Sequence, residues 1–139
     1  MDTPRPAPAL ESLIPETCTA LLAKKRLGRL AVLLDGDIHV IPVNYVVYRG
    51  GVAFRTTPSS LLAEAAPCRV TFEVDDIDEQ TRRGWTVAVK GTCHLLADPD
   101  DDPSLSGLET WGPGYKPAAY VVTPDEITGR HLYPTPDAG

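Results

Sequence analysis

A chain of 139 residues is long enough to bury one real core and too short to carry a second catalytic domain. Its 13 Lys and Arg against 19 Asp and Glu leave a net charge of -6, which disfavours nucleic acid as a partner. No stretch approaches the ~20 apolar residues of a membrane span, and the opening Met-Asp-Thr-Pro-Arg-Pro lacks the apolar segment of a secretory signal, so the sequence reads as cytoplasmic with no membrane partner.

Pro4, Pro6 and Pro8 make residues 1–12 a proline-rich arm expected to be disordered, ahead of a single folded domain over 13–133 and a flexible tail over 134–139. Pro15 suits a first helical position and Lys24-Lys25-Arg26 before Gly28 suits a helix end, which predicts a helix over residues 15–26. The pattern then changes to short β-rich runs. Leu30–Leu34 precedes Asp35-Gly36, a two-residue hairpin signal, and a second strand follows from Ile38 to Tyr48. Arg49-Gly50-Gly51 supplies another turn before Val52–Thr56, and Ser59–Ala65 reads as a small helix.

Polar and apolar residues alternate through Arg69–Asp75 and again through Trp85–Leu96, the mark of strands with one face on a core. On the second of these, Trp85, Val87, Val89, Gly91, Cys93 and Leu95 share one face and Thr86, Ala88 and Lys90 the other, with Gly91 a candidate bend. Asp102-Pro103 reads as a cap and first position of a helix reaching Trp111, and strands over 120–123 and 126–133 end the domain. The sum is a mainly β chain: six or seven antiparallel strands, joined mostly by hairpins, in a closed or nearly closed barrel with a few short helices.

Chemistry is sparse. Cys18, Cys68 and Cys93 are odd in number and form no C-x-x-C pair, and His39, His94 and His131 lack ligand spacing, so neither a disulfide framework nor a metal site is expected. No nucleophile or catalytic base stands out. The densest polar stretch is Arg55-Thr56-Thr57-Pro58-Ser59-Ser60, which sets a permanent cation and four hydroxyls where a strand gives way to a helix. It reads either as a phosphate cradle or as a capped helix beside a solvated arginine. Pro42, inside a strand-like run, lacks an N–H and marks an edge or a split whose neighbouring backbone can meet a ligand. Asn44 carries a donor and an acceptor, for a ligand edge or for local backbone. Trp85 suits a core or an interface, and Thr86 on the opposite face suits a polar contact.

Leu27-Gly28-Arg29-Leu30-Ala31, Ile41-Pro42-Val43-Asn44-Tyr45, Phe54-Arg55-Thr56, Phe72-Glu73-Val74-Asp75, Gly84–Gly91 and Ile127-Thr128-Gly129-Arg130 follow one another in an order that resembles the pyridoxamine 5′-phosphate oxidase-like family of flavin-binding split barrels, notably its small flavin-nucleotide-binding and nitroimidazole-reductase-like members. The resemblance implies a six- to seven-stranded split barrel, a homodimer with FMN at the subunit interface, and oxidoreductase chemistry on a small molecule. It implies that Arg55 and Thr56 meet the phosphate, that Thr57 beside them belongs to the cofactor site, and that Ser59 and Ser60 open the helix beneath it. Pro42, Val43 and Asn44 would line the isoalloxazine, while Trp85 and Thr86 would approach from the second subunit. Relatives commonly carry Gly-Ser-Lys where this chain has Pro58-Ser59-Ser60. Losing a charge-assisted contact there weakens phosphate binding about tenfold, which keeps two alternatives open: a deazaflavin coenzyme, or a dimer that binds flavin or another small ligand without turnover.

Overall fold

The computed structural model describes residues 9–56, 61–112 and 118–134. The strands are β1 (Ala9–Ser12), β2 (Leu27–Leu34), β3 (Asp37–Tyr48), β4 (Gly51–Thr56), β5 (Cys68–Asp78), β6 (Arg83–Leu96) and β7 (Ala118–Tyr133), with helices α1 (Pro15–Leu22) and α2 (Leu61–Ala65). They form one seven-stranded sheet in the order β1-β7-β4-β3-β2-β5-β6, and a further β6–β7 pairing closes it into an antiparallel barrel with β1 added outside β7. This is the split-barrel class the sequence leads one to expect. Among the described residues no helix is long and apolar enough to cross a membrane.

Turn chemistry sets the register. Asp35 and Gly36 take φ values of 52° and 82°, and Arg49 and Gly50 take 45° and 81°, the paired left-handed conformations that match the twist of a tight hairpin. Strands β2, β5 and β6 then send alternate residues inward, while β4 and β7 bury residues 52–54 and 119–122 as continuous runs. Phe54, Phe72, Leu22, Leu30, Leu62, Val32, Val74, Val87 and Val89 are fully buried, and each aliphatic or aromatic side chain so buried contributes about 1.5–3 kcal/mol. Gly28 is required here by close approach: a Cβ on it would lie 2.3 Å from the Phe72 ring, which is itself held edge-on against Tyr45. The Tyr45 hydroxyl donates to the Leu22 carbonyl and so ties the end of α1 to β3.

The cysteines are free: Cys18 and Cys93 are buried and Cys68 is half-buried. Burial, with Cys68 alongside, pushes the Cys93 thiol up to about 12, and burial raises the other two as well, so none of them is poised as a thiolate.

Several boundaries differ from the sequence reading. Residues 9–12, assigned there to the arm, pair with Arg130–Tyr133 of β7 as strand β1, a non-local contact that supplies their order. Helix α1 stops at Leu22, because the Lys24 N–H bonds to the Leu21 carbonyl and turns the chain before the basic triplet. The helix expected from Pro103 to Trp111 is replaced by two single 3-10 turns, Pro99–Asp101 and Pro103–Leu105. Asp102 does cap the second turn by accepting from the Ser104 N–H, but only Leu105 is buried, so no apolar face sustains a longer helix. The two final strands are one, β7, with a bulge at Asp125 opposite the Lys90–Gly91 step; a Cβ on Gly91 would lie 2.0 Å from the Thr123 carbonyl oxygen.

Candidate functional site

The β3–β4 ladder runs from Tyr48–Gly51 to Tyr45–Phe54 and then stops. Beyond it β3 stays with β2, through Leu27–Asn44 and Arg29–Pro42, while β4 stays with β7 through Arg55–Ala119 and Thr56–Ala118. The barrel therefore splits between Asn44 and Arg55. Pro42 sits on the free edge of β3, where its missing N–H costs no ladder bond. The split opens a cavity of about 580 Å³, bounded by Leu27, Ile41, Pro42, Val43 and Asn44 on one side and by Arg55, Thr56 and Leu61 on the other.

Its third wall comes from the β6–β7 connection, whose described residues run over 97–112 and of which Thr110, Trp111 and Gly112 line the cavity. This strap is tied down by named contacts. Leu105 is buried with Tyr48, Ala53, Ala119 and Val121. The Tyr48 hydroxyl donates to Asp102 at 2.7 Å, and the hydrogen bonds from Ser104, joined by this one, hold the Asp102 carboxyl below its usual range. Arg26 and Glu109 pair at 3.4 Å, and the Trp111 N–H donates to Asn44 Oδ1 at 2.7 Å.

Arg55 and Thr56 thus put a cation and a hydroxyl at one end of a largely aliphatic slot. The Arg55 side chain is only 18% exposed, and its guanidinium donates to Asp100 at 2.9 Å. Asp100 lies in the acidic run over residues 98–102, and the pairing joins residues 45 apart with no local sequence signal. Asn44 lines the cavity, and its amide also meets backbone, donating to the Arg26 carbonyl at 3.1 Å and accepting from the Trp111 N–H.

Thr57, Ser59 and Ser60 lie outside the described residues, as do Pro58, Tyr115 and Lys116. Among the described residues helix α2 spans Leu61–Ala65. Trp85 and Thr86 are not brought to this cavity: Trp85 packs half-buried against the core, and Thr86 sits on the outer sheet face opposite Asp75 of β5 and Arg130 of β7. On that same face Arg29 lies 3.4 Å from Asp75 and 3.8 Å from Glu73. The lining residues sequence reasoning missed include Leu27, Ile41, Leu61, Thr110 and Gly112, whose pattern is that of ordinary core and loop positions.

Comparison with known proteins places this architecture. An uncharacterized protein of Mycobacterium tuberculosis, Rv0080, is 27% identical over 137 residues, covering 94% of this chain and 90% of that protein. The FAD binding protein from Mycobacterium smegmatis is 31% identical, with a TM-score of 0.70 over 88% of this chain and 98% of that one. A FAD-binding protein from Mesorhizobium loti, 21% identical with a TM-score of 0.71 over 91% of this chain and 98% of its own, shares the fold. The pyridoxamine 5′-phosphate oxidase family profile matches residues 15–131, which span the barrel and both sides of its split, and the chain belongs to that family.

Proposed function

We propose that this chain binds a flavin nucleotide in the split between β3 and β4, that FMN is the form it takes, and that it serves as an oxidoreductase for a small molecule. The observation that carries the reading is the cavity itself: about 580 Å³, aliphatic along Leu27, Ile41 and Val43, cationic and hydroxylic at Arg55 and Thr56. A planar ring with an anionic tail is the ligand such a slot fits. Relatives described as FAD-binding support a flavin, and FMN is the smallest flavin that supplies both a ring and a phosphate.

In this reading Arg55 and Thr56 hold the phosphate, and the backbone of Pro42 and Val43 borders the ring. A bound flavin supplies the hydride and electron chemistry, so the protein needs to bind, orient and exclude water. Trp85 and Thr86 take part only from a second copy of the chain. A homodimer is supported by the outer face of the β2–β3 hairpin, where Leu33, Ile38 and Val40 are 63%, 73% and 61% exposed, forming an apolar strip that leads to Pro42 at the cavity.

Titration of the purified protein with riboflavin, FMN and FAD tests the reading through flavin absorbance and fluorescence. FMN binds at micromolar concentration, and Arg55→Ala weakens it about tenfold or more while riboflavin binding changes little, since only the charge-assisted phosphate contact is lost. No spectral change with any flavin at micromolar concentration removes the proposal. Reduction of the loaded protein by a nicotinamide donor, followed by reoxidation with a quinone or nitroaromatic acceptor over many cycles, supports the enzyme. Binding without turnover selects a flavin-holding protein instead.

A further inference from the structure

Phosphate and ring contacts leave one wall of the cavity without a role. Trp111, on the strap, lines the cavity yet is 61% exposed. A loop tryptophan usually buries its ring against an apolar surface, whereas this one is fixed by polar contacts at two points. Its backbone N–H donates to Asn44 Oδ1 at 2.7 Å, and Asn44 Nδ2 donates to the Arg26 carbonyl at 3.1 Å. Its indole Nε1 donates to Glu109 Oε2 at 3.1 Å, and the other oxygen of Glu109 meets the Arg26 guanidinium at 3.4 Å.

Arg26 therefore anchors both ends of the residue, by its carbonyl through Asn44 and by its side chain through Glu109. Edge and main chain are held while much of the ring stays in water. Ordering a large exposed side chain costs conformational entropy, and leaving an indole wet forgoes the gain from burying it. Both costs are offset when a flat ligand covers the ring. Leu27, Ile41 and Val43, on the β2–β3 side of the same cavity, offer an aliphatic surface to such a ligand.

We propose that Trp111 is a stacking residue for a planar fused-ring ligand in this cavity, lying over the ring while Arg55 and Thr56 take the anionic end. This rests on the flavin reading above and adds the residue that selects for the ring. Aromatic stacking of this kind is worth about tenfold in affinity per ring when the side chain is truncated.

The test compares the full-length wild type with Trp111→Leu and Trp111→Phe in calorimetric titrations with riboflavin, FMN and inorganic phosphate. Riboflavin carries the ring alone and phosphate the anion alone. Trp111→Leu weakens riboflavin and FMN about tenfold and leaves phosphate unchanged, and Trp111→Phe restores most of the loss. The proposal is overturned if Trp111→Leu binds both flavins as the wild type does, or if phosphate weakens in step with riboflavin, which would mean that the strap had shifted and no stacking was lost. If the wild type binds phosphate but neither flavin, the flavin reading falls and the stacking role falls with it.

Discussion

Arg55 illustrates how a single residue can be read correctly for its chemistry and still hide its partner. Its charge and its place at the end of β4 are plain in the sequence, whereas Asp100 reaches it only because the strap folds back over 45 residues. In the flavin reading that carboxylate occupies the guanidinium a phosphate would use. Asp100→Asn is therefore expected to tighten FMN about threefold, the scale of an exposed partner's contribution, with riboflavin unchanged. Weaker FMN binding in the same titration would show that Asp100 orients Arg55. Asn44 shows the converse: its two polar ends left a ligand edge and backbone equally open, and in the fold they meet the Arg26 carbonyl and the Trp111 N–H. Glu73 carries a pH dependence. Burial, reinforced by hydrogen bonding to Asp75 and by its charge, pushes the Glu73 carboxyl up to about 7 against the pull of Arg29, and its buried Oε1 makes no hydrogen bond. Because the folded state then holds a proton that the unfolded chain releases near 4.5, stability from this site is full below that pH and is lost as pH rises through about 7. With the side chain 36% exposed, solvent screening keeps the effect under about 1 kcal/mol. Glu73→Gln should melt within error of the wild type at pH 4.5 and a few degrees above it at pH 8; a melting difference that does not change with pH rules this out.

Elements were legible where the signal is local. Asp35-Gly36 and Arg49-Gly50 carry their own turn geometry, and the alternation in β5 and β6 fixes which residues meet the core, because a slip of one position would turn every side chain outward. Pro42 pointed to a free strand edge, and β3 has its free edge there. What failed was signal that depends on distant chain. Ala9–Ser12 has no strand pattern of its own and gains order from β7, and the cap at Asp102-Pro103 is real but opens a single 3-10 turn because the residues after Leu105 have no surface to bury against. The strap was thus read as a helix on good local grounds. Its function as a cavity wall depends on contacts from Tyr48, Arg26, Asn44 and Arg55, all far away in sequence.

At the scale of the whole molecule, the cavity and the exposed apolar strip are not independent. Ile38 and Val40 share the outer face of β3 with Pro42, so the strip that would be covered by a second copy leads straight to the mouth of the split. Thr86 belongs to the same outer face, several strands across from Pro42, and cannot reach the cavity within its own chain. A two-fold contact through this face would bury the strip and carry Thr86 of one copy toward the split of the other, as an isologous interface requires. The two events should therefore be coupled. In sedimentation at micromolar protein the wild type is expected to be a dimer, and Ile38→Glu, which sets a charge on the most exposed apolar residue of the strip, a monomer. Because the face lies outside the core, the variant should keep its β-rich circular dichroism. It should also bind FMN about tenfold more weakly, since the contacts from the second copy are gone while Arg55 and Thr56 remain. A folded, monomeric Ile38→Glu that binds FMN like the wild type would separate the cavity from the dimer and show that each chain holds its ligand alone.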